Sequence, residues 1–459
     1  MNVLGCAALS AAVTAVLAAL WLSSSHAGEP NDGGRVATPQ EATHSSSAVL
    51  AQLPDGETKR QFVIDCTNCH QMDARTTYPG GRARTAEEWK PVIARMLRMA
   101  GAGTPFPIMS ASRNADSTAD WLARYLRGVP RTAAPLSRGS SERVARPDVV
   151  EYLLPDPRDL PHDVAVDSSG QVIVTGMMTG AMFVLDTTAR SFARLPIPVD
   201  RANPRAIEIA ANGDWWVLLG APNKVARYQP SSREWTFHDV GVYAHSVALG
   251  TEGRVWYNGH FTRDPEVIGY VDGRTGARRT FDMPRHPTMS AVAGGPIPYE
   301  LRVAPNGRVW MSELQGHRML SLDPTTGAVR AYTLPVTISA PRRFDIDSAG
   351  TVWIPAYAAN ALIRLDPRSG RTTSFRLPRR DAVPYVARVY GRTVWIGTNA
   401  SDEVYSFDTR SNRFRIFPLP SAGAVIRHMV IDPRTGDVWL AYGASPGIPA
   451  RIARLRPQG

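Results

Sequence analysis

Cysteine is scarce in this chain: 459 residues hold three, Cys6, Cys66 and Cys69. That excludes a disulfide framework, and a four-ligand zinc site would need a second pair that Cys6 alone does not supply. Lysine is as scarce, with Lys59, Lys90 and Lys224 beside 49 arginines in a chain of formal charge +11. The arginines are dispersed, with no basic run interleaved with aromatics, so nucleic-acid binding has no support. Residues 1–27 contain no Asp, Glu, Lys or Arg. Within them residues 4–22 are almost entirely apolar and Ser25-His26-Ala27 reads as a small-x-small cleavage site. This predicts a secretory signal peptide over 1–27 and a periplasmic or secreted protein. The apolar run approaches the ~20 residues that span a bilayer. Membrane attachment is therefore expected only if this segment stays uncleaved.

The two remaining cysteines are informative. Cys66-Thr67-Asn68-Cys69-His70 spells C-x-x-C-H, the attachment signature of a c-type haem. Thiols at this spacing reach the two vinyl groups of one porphyrin, and the adjacent imidazole becomes the fixed axial ligand. A thioredoxin-like C-x-x-C would sit at a strand-to-helix junction, a pattern absent around these residues. Haem c, covalently held at Cys66 and Cys69 with His70 on the iron, is the cofactor expected.

Composition divides the rest. Residues 28–47 are rich in Ser, Thr, Gly and Pro and read as disordered. A compact helical segment is expected over 48–130. It holds a helix over 57–65, a second opened by the capping-box pattern Thr85-Ala86-Glu87-Glu88, and an amphipathic helix over 116–126. This segment resembles the small class I cytochromes c over about 80 residues, on the strength of the haem motif and the final helix ending in Tyr125-Leu126. The resemblance implies an all-α cytochrome c domain and a methionine sixth ligand on the loop before the last helix. Met109 occupies that loop, with Met96 and Met99 as alternatives. A carbonyl of the Pro79-Gly80-Gly81 turn is expected to fix the His70 tautomer. Residues 131–148 read as a linker.

Residues 149–459 repeat. Ile173, Trp216, Trp256, Trp310, Trp353, Trp395 and Trp439 occupy equivalent positions, spaced by 43, 40, 54, 43, 42 and 44 residues. Each copy carries four short strand patterns with turn residues between them, the signature of a seven-bladed β-propeller. The last copy lacks a fourth strand, and residues 149–155 match it, so the two ends are expected to pair and close the ring.

The residue 11 before each of these positions, and the residue 3 after it, should meet at one mouth. The first set is His162, Arg205, His245, Tyr299, Arg342, Tyr385 (one residue closer) and His428. The second set includes Glu313 and Tyr442, with Gly176, Leu219, Gly259, Ala356 and Thr398. Convergent polar groups over an apolar framework suggest a ligand pocket. Its histidines would admit a divalent metal if their spacing allowed. The 283–297 connection, with His286 and Met289, is a candidate lid.

These repeats resemble the virginiamycin B lyase (streptogramin lyase) family, on Pro161-His162-Asp163-Val164 and on Val352-Trp353 through Leu377-Pro378. The resemblance implies a metal-assisted elimination in which Glu313 and His245 are the catalytic residues, while a second histidine position is Tyr299. The expected function is an exported monohaem cytochrome transferring electrons with a redox partner protein, whose propeller mouth binds a small-molecule substrate, an oxidoreductase if it is an enzyme. The alternatives are a lyase with an accessory cytochrome domain, or a non-catalytic binding propeller.

Overall fold

The computed structural model describes residues 45–136, 143–145, 147–260, 264–289, 295–443 and 448–457. The expected signal peptide, most of the polar tail, and the centre of the expected linker lie outside these residues. Among the described residues no helix is long and apolar enough to cross a membrane.

Seven antiparallel sheets follow one another around a ring. They are β3–β6 (Pro161–Val166, Val172–Gly176, Ala181–Asp186, Ser191–Pro196), β7–β10 (Pro204–Ile209, Trp215–Leu219, Lys224–Gln229, Glu234–Asp239) and β11–β14 (Ala244–Leu249, Arg254–Gly259, Val267–Asp272, Arg278–Asp282). Next come β15–β18 (Pro298–Val303, Val309–Glu313, Arg318–Leu322, Val329–Thr333), β19–β22 (Asp345–Ile346, Val352–Ala356, Ala361–Leu365, Thr372–Arg376) and β23–β26 (Pro384–Tyr390, Thr393–Thr398, Glu403–Asp408, Arg413–Pro418). The seventh combines β27–β29 (His428–Ile431, Val438–Tyr442, Arg451–Arg456) with β2 (Asp148–Leu153), which pairs antiparallel to β29 from Asp148↔Arg456 to Leu153↔Arg451. The protein is therefore a seven-bladed β-propeller closed by its N-terminal strand.

The repeated tryptophan has a packing reason. In six blades it lies on the second strand, and its ring lies against an aromatic of the fourth strand: Trp216 on His238, Trp256 on Phe281, Trp310 on Tyr332, Trp353 on Phe375 and Trp395 on Phe417. In the last blade Trp439 stacks on Tyr152, supplied by β2. Each pair spans its blade and buries large apolar surface at the blade-to-blade seam.

Residues 45–136 hold five helices: α1 (Ser46–Leu50), α2 (Glu57–Cys66), α3 (Ala74–Thr77), α4 (Ala86–Ala100) and α5 (Ala115–Tyr125). Thr85 and Glu88 form the reciprocal capping box of α4. This segment packs on the propeller through an apolar cluster that runs from Phe62, Ile64, Met109 and Leu122 into Tyr299, Tyr357, Tyr385 and Ile426. Polar contacts flank it: Ser47 N donates to the Ala400 carbonyl, Gln71 Nε2 to Asp402 at 3.2 Å, and Gln315 Nε2 to the Ile108 carbonyl at 3.0 Å. Ser46 and Ser47, within the tail expected to be disordered, thus belong to α1. Residues 131–136 and 143–145 are likewise held along the sixth blade, through Arg379 to the Ala134 carbonyl at 2.8 Å and through β1 (Arg143–Val144) beside β26.

Candidate functional site

The innermost strands make the mouth by bulging. In β3 two residues, His162 and Asp163, oppose one between the pairs Pro161↔Gly176 and Val164↔Val174. The same irregularity falls at His245 and Ser246, at Tyr299 and Glu300, at Arg205 and at Tyr385. A bulge re-aims the side chains it carries. This is how residues of successive inner strands come to face one space.

That space is a cavity of about 70 Å³ between the mouth and the helical segment, smaller than the ~300–1,000 Å³ typical of ligand clefts. From the propeller it is lined by His162, Arg205, His245, Tyr299, Arg342 and Tyr385, and also by Leu160, Met177, His260, Leu314 and Arg427. The helical segment contributes Asn68, Cys69, Phe106 and Ile108. Gly220 leaves room beside it, because a Cβ there would lie 2.7 Å from Arg205 Nε.

None of the second set lines this cavity, and one of the first set, His428, lies off it too. Glu313 is buried in an ion pair with Arg318, whose NH2 group donates to it at 3.0 Å. Tyr442 is hydrogen-bonded to Glu151. Gly176 and Gly259 pair within their sheets, and the residues that reach the cavity come one position later, at Met177, His260 and Leu314. The last residue of a strand still aims its side chain between blades, whereas the next one has left the pleat. His260 was missed for that reason, although a histidine directly after Gly259 was visible. His428 lies deeper, its Nε2 2.9 Å from Arg388.

Beneath the mouth, buried charges fill the channel. Arg343 bonds Asp163 at 2.8 and 3.2 Å, Arg302 and Arg388 meet Glu300 at 2.8 and 3.2 Å, and Arg302 reaches Glu208 at 2.8 Å. Each charge has opposite partners, so the network can stay ionised despite burial. It floors the cavity.

The three cavity histidines share one arrangement. His245 and His260 each donate Nδ1–H to a backbone carbonyl, of Tyr299 and Pro298, and His162 shares its Nδ1–H between the Arg205 carbonyl at 2.6 Å and Asp163 at 2.9 Å, beside Arg343 at 3.1 Å. That fixes the tautomer and leaves Nε2 as an acceptor. Burial pushes His162 down to about 4 and His260 to about 3, and holds His245 well below its ordinary value, so all three are neutral at pH 7. Their ring centroids lie 5.4 Å (His162–His245) and 4.7 Å (His245–His260) apart. Among the described residues no three His, Cys, Asp or Glu side chains form a metal-holding group. Tyr299 and Tyr385 share a hydrogen bond between hydroxyls. Of the candidate lid, His286 bonds the Gly316 carbonyl at 3.2 Å and Met289 is exposed, while 290–294 lie outside the described residues.

Around the C-x-x-C-H motif, Cys66 and Cys69 are unpaired thiols, and burial pushes Cys66 up to about 12. Met109 is buried in the apolar cluster against which Cys66, Cys69 and Met96 pack, and Met99 is half-buried on α4. His70 Nδ1 is engaged by the Gln71 carbonyl at 2.7 Å, not by the 79–81 turn. Tyr357 hydrogen-bonds Thr67, and Arg427 donates to the Cys69 carbonyl at 2.9 Å, so the propeller holds the motif's backbone directly.

No protein of curated function matches the chain. Among solved structures, a virginiamycin B lyase from Staphylococcus aureus is 17% identical, with a TM-score of 0.59 over 68% of this chain and 100% of that one. A streptogramin B lyase is 18% identical, with a TM-score of 0.60 over 69% and 99%. YCF48 bound to a D1 peptide is 9% identical, with a TM-score of 0.54 over 72% and 99%. Likenesses at these identities establish the fold alone. A model of the virginiamycin B lyase family matches residues 190–459, more than half of the chain, and the protein therefore belongs to the virginiamycin B lyase family.

Proposed function

We propose that the propeller mouth binds a small organic molecule and that haem, attached at Cys66 and Cys69, lies at the roof of the same cavity, in an exported protein that passes electrons to or from a partner. Family membership supports the propeller half of this reading, a lyase-like or ligand-binding mouth. The redox half rests on the motif. The observation that carries the combination is that Cys69 lines one cavity with His162, Arg205, His245 and Tyr299.

The residues present fit such a group. Two unpaired thiols, an imidazole with Nδ1 tied down and a buried thioether at Met109 form a suitable donor set. The Asn68 amide is buried with neither its nitrogen nor its oxygen partnered. Bound haem supplies one-electron chemistry. The chain's part is to hold a ligand: Nε2 of His162, His245 and His260 can accept its protons, Leu160 and Leu314 exclude water, and the guanidiniums orient it.

The second reading, elimination at Glu313 and His245, is the one family membership favours. Glu313 is engaged by Arg318 and lies off the cavity lining, and Tyr299 stands where a second histidine would be needed. Both readings are decided on the full chain matured in a host competent for c-type haem. A pyridine haemochrome and a haem spectrum perturbed by mouth ligands are expected. Colourless protein would overturn the redox half. Streptogramin cleavage lost in Glu313→Gln would establish the lyase.

A further inference from the structure

We infer that the mouth cavity is an anion site in which Arg342 receives a ligand carboxylate; this deepens the binding reading above and rests on it for the presence of a mouth ligand. Three arginines line the cavity, Arg205, Arg342 and Arg427, at 3%, 2% and 8% exposure. No Asp or Glu lines it. Among the described residues none of the three arginines is in an ion pair with a carboxylate. Burying a cation without a counter-charge is strongly unfavourable, in contrast to the channel below, where every arginine of the network has a carboxylate. The histidines cannot compensate, being neutral or cationic.

Arg342 is the best placed of the three. Its guanidinium sits over the rings of Tyr357, Tyr299 and Tyr385 at 4.1, 4.7 and 5.0 Å. Those faces fix its plane but cannot accept its in-plane N–H groups, and Nε and one terminal nitrogen are buried without a partner. Nε of Arg427 is unpartnered too. A planar fork with free donors matches a carboxylate bidentately. Phe106, Leu160 and Leu314 offer apolar wall to the rest of the ligand. The shared chemistry is a carboxylate on an apolar body, from either a free organic acid or the acid side groups of a porphyrin on Cys66 and Cys69.

The probes are benzoate and its neutral counterpart benzyl alcohol, titrated calorimetrically into the haem-loaded chain and into full-length C66S/C69S, which cannot attach haem. Benzoate is expected to bind C66S/C69S about 10- to 100-fold more tightly than benzyl alcohol, the worth of one charge-assisted pair. Binding also to the haem-loaded chain identifies a free acid as the ligand, whereas binding only to C66S/C69S identifies the porphyrin acids. R342Q should erase the preference and R342K, which keeps the charge without the fork, should reduce it but leave benzoate ahead, so the proposal stays testable if R342Q folds poorly. Equal binding of the two probes, or none in either protein, overturns it. So does a phenolate absorption band at pH 7 without ligand, since Tyr385 would then be the counter-ion. These arms do not depend on haem attachment, so failure of the redox reading leaves them readable.

Discussion

Lys59 on α2 and Asp381, in the loop before β23, form an ion pair at 2.8 Å across the seam between the helices and the propeller. Lys59 is 4% exposed, one of three lysines in the chain, and also reaches the Leu53 carbonyl at 3.4 Å. Removing Lys59 leaves Asp381 with Arg380 at 3.4 Å, and removing Asp381 leaves Lys59 with Asp55 at 3.4 Å, so each member keeps one longer ion pair. Lys59→Met is therefore expected to destabilise by about 1–3 kcal/mol, and Lys59→Met with Asp381→Leu to recover part of it. A double-mutant cycle from urea unfolding measures this. A loss in the double variant equal to the sum of the two single losses would show that the pair does not couple the two parts.

Ring closure depends on Tyr152. Its ring is buried on Trp439 at 6.0 Å, the place a fourth-strand aromatic fills in the other blades. Tyr152→Ala opens a cavity at the one seam formed by distant parts of the chain. A loss of about 3–5 kcal/mol is expected, against near neutrality for Tyr390→Ala, whose ring is 42% exposed. Thermal melts compare the two. A Tyr152→Ala variant as stable as Tyr390→Ala would mean that the strand pairing alone closes the ring.

The propeller was legible because its code is local: a tryptophan every 40 to 54 residues, glycine turns and alternating apolar residues mark each blade without knowledge of its neighbours. The bulge residues His162, Arg205, His245, Tyr299 and Tyr385 were legible too, because they stand out as polar in apolar strands. His260 was not, since its place depends on where β12 ends, a shift of one residue. His428 occupies an equivalent sequence position but meets Arg388 and Asp163, a contact set by charges on other blades. The roof was hidden for the same reason. Thr67–Tyr357 and Arg427–Cys69 join residues some 290 and 358 positions apart, and no periodicity encodes which surface of a helical segment will cover a mouth.

The thiols and Met109 give a direct test of the roof. Haem held by thioether bonds survives denaturation, so the matured wild type should stain for haem on a denaturing gel, and C66S/C69S should not. Met109→Leu keeps the volume of this buried side chain, at 2% exposure, and removes only the thioether. Loss of the sulfur-to-iron absorption of the oxidised protein is expected, with little change in stability. Persistence of that band would shift the ligand to Met96 or Met99.

Asp402 should make the seam pH-sensitive. It is buried in the sixth blade and accepts from Gln71 Nε2 at 3.2 Å and from the Ala424 amide at 2.6 Å. Burial pushes its carboxyl up to about 6; hydrogen bonds from Gly423, Ala424 and Gln71 oppose this, and the nearby Asp73 adds to it. An unfolded Asp titrates near 4. Between about pH 4 and 6 the folded protein therefore holds a proton that the unfolded chain has lost. The stability this group contributes is full below pH 4 and falls as pH rises through 6, by something on the order of 2–3 kcal/mol. Asp402→Asn keeps an acceptor for both donors and cannot ionise. Relative to wild type, its unfolding free energy should rise steadily from pH 4 to pH 7 and level off above. Parallel stability curves for the two proteins over that range would show that Asp402 titrates normally, and that solvent reaches the seam between Gln71 and the sixth blade.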